Sequence, residues 1–200
     1  MNMMHYSVEI ADAINDFLTN DDWHFTFDEK RGLFKFGISH RGVLKKIEYA
    51  VDVKDDEYLV YAICPLGVRE NDAELMSIMA EFICRANYCL MMGNFELDCN
   101  DGEIRYKVHI CCGNGIPDED VIKRSIICPS AMFERYGPGI TAILFEGATA
   151  KEAIDKCEND KDDLLRKLLL DLMRQRSTMN DPDDPENFTF PMPDEDDEES

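Results

Sequence analysis

Lysine and arginine are scarce in this chain: 21 residues of 200, against 42 aspartates and glutamates, for a formal net charge of -21. That deficit argues against nucleic acid and anionic membrane surfaces as partners. Either would have to be met by a cationic patch that releases counterions or faces lipid headgroups, and the sequence shows none. No apolar run approaches the length of a membrane span. Met1-Asn2-Met3-Met4-His5-Tyr6 has neither the basic nor the long apolar region of a secretory signal. A cytoplasmic location is expected.

Catalytic signatures are missing as well. There is no Gly-x-Ser-x-Gly, no His-Glu-x-x-His and no paired-carboxylate motif. Gly113-Asn114-Gly115 is followed neither by a third glycine nor by Gly-Lys-Ser/Thr, so it is neither a dinucleotide fingerprint nor a phosphate loop. His5, His24, His40 and His109 fall in different elements, and His24 and His109 sit on the polar faces of strands. Eight cysteines are present, but Cys-x-x-Cys is not, so the paired ligands of a zinc site are lacking. Cys64, Cys84, Cys89, Cys99, Cys111, Cys112, Cys128 and Cys157 fall mostly on apolar faces and are expected as reduced thiols filling the core. No catalytic residue, metal or cofactor is assigned. The alternative from another class is a thiol-based redox sensor or enzyme using Cys111 or Cys112, since neighbours on a strand point to opposite faces and one would be exposed.

What is present suits a folded domain with appendages: 44% hydrophobic residues and 10% aromatic. The stretch from Glu74 to Lys107 organises it. Leu75, Ile78, Met79, Phe82, Ile83, Ala86 and Leu90 recur at spacings of three and four, which predicts an amphipathic helix. Phe95, Leu97 and Cys99, then Ile104, Tyr106, Val108 and Ile110, alternate with polar residues as two half-buried strands do. A two-residue turn at Asp101-Gly102 predicts that Asp98 meets Arg105, Glu96 meets Lys107, Leu97 meets Tyr106 and Phe95 meets Val108.

Upstream, Ser7 is expected to cap a helix reaching about Asn20 and burying Ile10, Ile14, Phe17 and Leu18. Two hairpins follow: Trp23, Phe25 and Phe27 with Phe34, Phe36 and Ile38, then Ile47 to Val53 with Tyr58 to Cys64, closed by Pro65-Leu66-Gly67. Downstream, Pro117 opens a helix expected to reach about Cys128. Pro129 should break it, and Pro138 should bend the path again before Ile140 to Phe145. Thr149-Ala150-Lys151-Glu152 is a capping box. A leucine stripe, Leu164, Leu165, Leu168, Leu169, Leu172 and Met173, is short for a coiled coil. It suits a cover for its own domain, or a docking surface for a partner or a twin. From Asp181 to Ser200 there are ten carboxylates, four prolines and no base. That tail is expected to be disordered, serving as a solubilising end or an interaction tail.

Arg85-Ala86-Asn87-Tyr88, Gly93-Asn94-Phe95-Glu96-Leu97-Asp98 and Asp101-Gly102-Glu103-Ile104-Arg105-Tyr106, following a helix, two hairpins, Pro65 and a helix, resemble the YbjN family over about Val8 to Cys157. The family is described as bacterial sensory-transduction regulators. Its fold is similar to that of type III secretion chaperones, small acidic homodimers that hold a partner's unfolded segment. The resemblance carries no catalytic residues.

The expectation is therefore an α+β domain over 1–157, an antiparallel sheet of about six strands with helices on one face. An amphipathic helix over 158–178 and an acidic tail over 179–200 follow it. The expected activity is protein binding, chaperone-like or regulatory, with homodimerisation. An exposed sheet face or edge rich in Phe34, Phe36, Tyr49 and Tyr58 would accept a partner segment, with Leu165, Leu168, Leu169 and Leu172 as further contacts.

Overall fold

In the computed structural model, residues 6–39, 42–88 and 90–158 are described, all within the first of two units into which the chain divides, Met1–Asn159. His5, His40, Cys89, the leucine stripe with Leu165, Leu168, Leu169 and Leu172, and the acidic tail lie outside the described residues.

Local signals set the first elements. The Ser7 side chain accepts from the Ile10 amide (3.2 Å) and caps α1, Val8–Asn20, whose buried stripe is Ile10, Ala11, Ile14, Phe17 and Leu18. Strands β1 (Phe25–Asp28), β2 (Leu33–Ser39), β3 (Lys46–Val53) and β4 (Glu57–Gly67) then form consecutive antiparallel hairpins. Asp72 caps α2, Ala73–Asn87, which buries Met76, Met79, Phe82, Ile83 and Ala86. β5 (Asn94–Leu97) and β6 (Glu103–Cys111) complete an antiparallel sheet in the order β1-β2-β3-β4-β6-β5. The molecule is α+β, with the helices of the described residues on one side of the sheet. Among the described residues no helix is long and apolar enough to cross a membrane.

The β5–β6 register differs from expectation by two residues: Leu97 pairs with Ile104, Glu96 with Arg105 and Phe95 with Tyr106. A two-residue type I′ turn needs positive φ at both central residues, and here only Gly102 has it (77°). The carboxylate of Asp98 accepts from the Asn100 amide (2.8 Å) and that of Asp101 from the Glu103 amide (2.9 Å). The Gly102 amide reaches back to the Asp98 carbonyl (2.7 Å). These side-chain turns enlarge the loop and place Cys99 in it, exposed. A shift of two leaves every side chain on its intended face.

The second difference is α3, Glu119–Thr141, which runs unbroken through Pro129 and Pro138 before a π-helical turn at Ala142–Glu146. Two interior prolines cost about 6 kcal/mol together. Against that, Ile122, Ile126, Phe133, Tyr136 and Ile140 are all buried along one stripe, at about 1.5–3 kcal/mol each, so burial prevails. Gly139 lets α2 and the last helix approach, because a Cβ there would lie 2.5 Å from Phe82 Cε2 and 2.8 Å from Cys157 Sγ. That last helix, α4, is Ala150–Glu158, opened by the reciprocal bonds of the Thr149–Glu152 capping box.

Candidate interaction face

Strand alternation gives the sheet two faces, and the helices take the more aromatic one. Phe34, Phe36, Tyr49 and Tyr58, expected on an exposed face, are 0%, 7%, 2% and 0% exposed and form the core beneath the helices. Phe36 stacks on Tyr49 with ring centroids 5.1 Å apart. The Tyr58 hydroxyl meets Ser125 Oγ of α3 (3.1 Å), and Ser125 in turn donates to the Ile122 carbonyl (2.7 Å). Burial pushes the Tyr58 pKa up to about 12. Tyr106 donates to the Met92 carbonyl. The physical reason for the correction is area: large aromatics give the most stabilisation when covered, so their face attracts the helices.

Among the described residues, nothing packs on the other face. Its rows follow from the pairing: Leu33, Asp52, Leu59 and His109 in one; Lys35, Ala50, Tyr61 and Lys107 in the next; Gly37, Glu48, Ile63, Arg105 and Glu96 in the third. Leu33, Ala50, Leu59, Tyr61 and Ile63 are half-buried, each flanked by its neighbours in the sheet, and stand apart from the core cluster. Sequence reasoning missed Leu59, Tyr61 and Ile63. The signal was there: Tyr58 to Cys64 contains no charged residue and no polar alternation, and a strand that reads so is normally covered on both faces.

Charges frame this apolar column. On the β6 side, Arg105 Nε bonds Glu96 (2.8 Å) and its guanidinium lies 4.8 Å from the Tyr61 ring centroid, while Lys107 also pairs with Glu96. Burial alone would raise the Glu96 pKa, but the hydrogen bonds from Lys107 and Arg105 override it and hold the carboxyl below its usual value. On the β3 side, Glu48 pairs with Lys46 (3.0 Å) and Asp52 with Lys54 (2.8 Å). His109 meets Glu57 at 2.7 Å.

The free edge of β5 is closed by a side chain. The Phe95 amide donates to Asn87 Oδ1 (2.7 Å) and Asn87 Nδ2 donates to the Phe95 carbonyl (2.9 Å), the two bonds a neighbouring strand would make.

The thiols divide by exposure. Cys64 and Cys157 are buried, with pKa values pushed up to about 11 chiefly by burial. Cys84, Cys99 and Cys111 are exposed instead of filling the core, because they fall on the outer side of α2, in the hairpin loop and on the open face. Cys112 is half-buried, and burial, then Cys111, Asp56 and Glu57, push its thiol up, opposite to what an attacking thiolate needs. Among the described residues no group of three His, Cys, Asp or Glu is placed to hold a metal ion. Two shallow open grooves, of about 470 and 340 Å³, flank the β5–β6 loop and share Cys99. No protein-family model matches the chain, and no curated protein matches it.

Proposed function

We propose that the chain is a non-enzymatic protein-binding module, chaperone-like or regulatory, whose working surface is the open face of its sheet. One observation carries this: β4, central in the sheet, is apolar on both sides, while among the described residues helices cover one side only. Leaving Leu59, Tyr61 and Ile63 in water forfeits stabilisation that a second protein surface would recover. The resemblance of the Arg85 to Tyr106 motifs to the YbjN family, and through it to secretion chaperones, supports the same reading.

The test compares proteins retained from a native lysate by the wild-type chain, by Ile63→Lys on the open face and by Ile127→Lys on exposed α3. Ile63→Lys should lose the retained proteins and Ile127→Lys should keep them. Equal retention by both variants would overturn the proposal.

A further inference from the structure

We infer that the edge of β5 at Leu97 is a second binding site, which takes a short extended peptide carrying an apolar residue between two basic ones. This site lies at a strand edge and goes beyond the open-face reading above. The Asp98 amide donates to the Glu103 carbonyl (2.9 Å), so by antiparallel alternation Glu96 and Asn94 also bond inward, to Arg105 and Lys107. Phe95 and Leu97, between them, turn their N–H and C=O groups away from β6. Asn87 satisfies the pair on Phe95. Among the described residues nothing meets the pair on Leu97, so one residue of edge stays available to another backbone.

A groove lies on each side of this residue, of about 470 Å³ toward the sheet face and about 340 Å³ toward α2; Leu97 lines the first, and Cys99 lines both. A segment laid along the edge alternates its side chains between the two sides every ~3.3 Å. The residue opposite Leu97 points the same way as Leu97, which packs on the core, and so enters the groove beside α2. That groove is walled by Ala73, Met76 and Ala80, which suits an apolar side chain. The two neighbouring residues point the other way, among Glu96, Asp98 and Glu103.

Charge fixes the flanking residues. The two grooves hold four carboxylates, Glu70, Glu96, Asp98 and Glu103, against one base, Arg105, which Glu96 and Glu103 already engage. Lysine or arginine is therefore selected beside the apolar residue, and acidic flanks are rejected. The net charge of -21 also draws a cationic peptide in from a distance. Asn87 sets the length, because its carboxamide fills the edge at Phe95 and stops a longer strand from pairing along β5. So short a contact should bind with a dissociation constant of about 1 mM.

The experiment titrates the full chain with the synthetic peptide acetyl-Thr-Lys-Val-Lys-Thr-amide and follows backbone amides by NMR. Binding should saturate, shift the Leu97 amide and slow its exchange with solvent. The charge-reversed acetyl-Thr-Glu-Val-Glu-Thr-amide should bind about tenfold more weakly or worse. Ala80→Arg, which fills the groove beside α2, and Glu103→Lys, which reverses a charge in the other, should each weaken the lysine peptide by a similar factor. Ala80 is exposed on α2, and the Glu103 carboxylate is engaged by Arg105 only at 3.7 Å, so both variants should keep the circular dichroism spectrum of wild type. The two peptides compared on wild type test the charge preference without any variant. No saturation up to about 10 mM peptide, equal binding of the two peptides, or binding that leaves the Leu97 amide unchanged would overturn the inference. The open-face reading is judged separately, by retention on Ile63→Lys and Ile127→Lys, since neither residue lines a groove.

Discussion

Replacing Asn87 should cost more than its half-exposed position suggests. Its carboxamide makes two hydrogen bonds to the backbone of Phe95, at 2.7 and 2.9 Å, and Phe95 is almost wholly buried. In Asn87→Ala the Phe95 carbonyl keeps a donor in Asn94 Nδ2 (3.1 Å), but the amide loses its acceptor. An orphaned, poorly solvated donor costs about 1–3 kcal/mol. At about 2–4 °C per kcal/mol for a domain of this size, the melting temperature should fall by about 2–12 °C. Asn87→Asp separates the two bonds: the carboxylate still accepts from the amide but cannot donate to the carbonyl. It should be milder at neutral pH, and its deficit should shrink as acidification protonates the new carboxyl and restores a donor. Thermal melting with exchange of the Phe95 amide reads both. Asn87→Ala melting like wild type with that amide still protected would refute the edge closure.

Three further outcomes are expected. Glu96 has its folded pKa depressed by Lys107 and Arg105, so its stabilisation is present above the unfolded value of about 4.3 and is lost as pH falls through the lower folded value. Glu96→Gln should cost about 1 kcal/mol at neutral pH and flatten the acid limb of a stability–pH curve. Gly102→Ala should destabilise by about 2 kcal/mol or more in denaturant, since φ is +77° and a Cβ would lie 1.9 Å from the Val68 carbonyl oxygen. Tyr58→Phe should cost about 0.5–1.5 kcal/mol in the same assay, because Ser125 keeps its bond to Ile122.

Elements whose specification is local were legible in the sequence. The Ser7 cap, the Thr149–Glu152 box and the alternation of Phe34, Phe36 and Ile38 each depend on residues a few positions apart. The β5–β6 register was not, since Asp98-Cys99-Asn100-Asp101-Gly102 satisfies two turn chemistries. The choice falls to contacts with Val68, far along the chain, whose amide bonds the Gly102 carbonyl at 3.1 Å. The prolines of α3 were misjudged for a related reason. Their cost is local and visible, whereas the stripe from Ile122 to Ile140 gains only once the sheet is in place. For the candidate face, the pattern showed two faces but gave the aromatic one to solvent. Weighing areas would have assigned it to the helices and left Leu59, Tyr61 and Ile63 as the surplus.

A sheet can meet another chain through its edges or through an open face, and here the edges are guarded. β5 has four residues, of which Phe95 and Leu97 turn their backbone groups outward by alternation, and Asn87 occupies those of Phe95. β1 is equally short, with Asp28 at its end engaged by the Lys30 amide (3.0 Å), a charged and abbreviated edge of the kind that resists strand addition. Edge pairing reads backbone and accepts many sequences. Pairing across a face reads side chains, and so discriminates by the placement of Glu48, Asp52, Arg105 and Lys107 around an apolar centre. On the proposed reading, edges closed to longer strands and a face of β4 that is uncovered among the described residues together direct association to a surface where partner choice is written in charge.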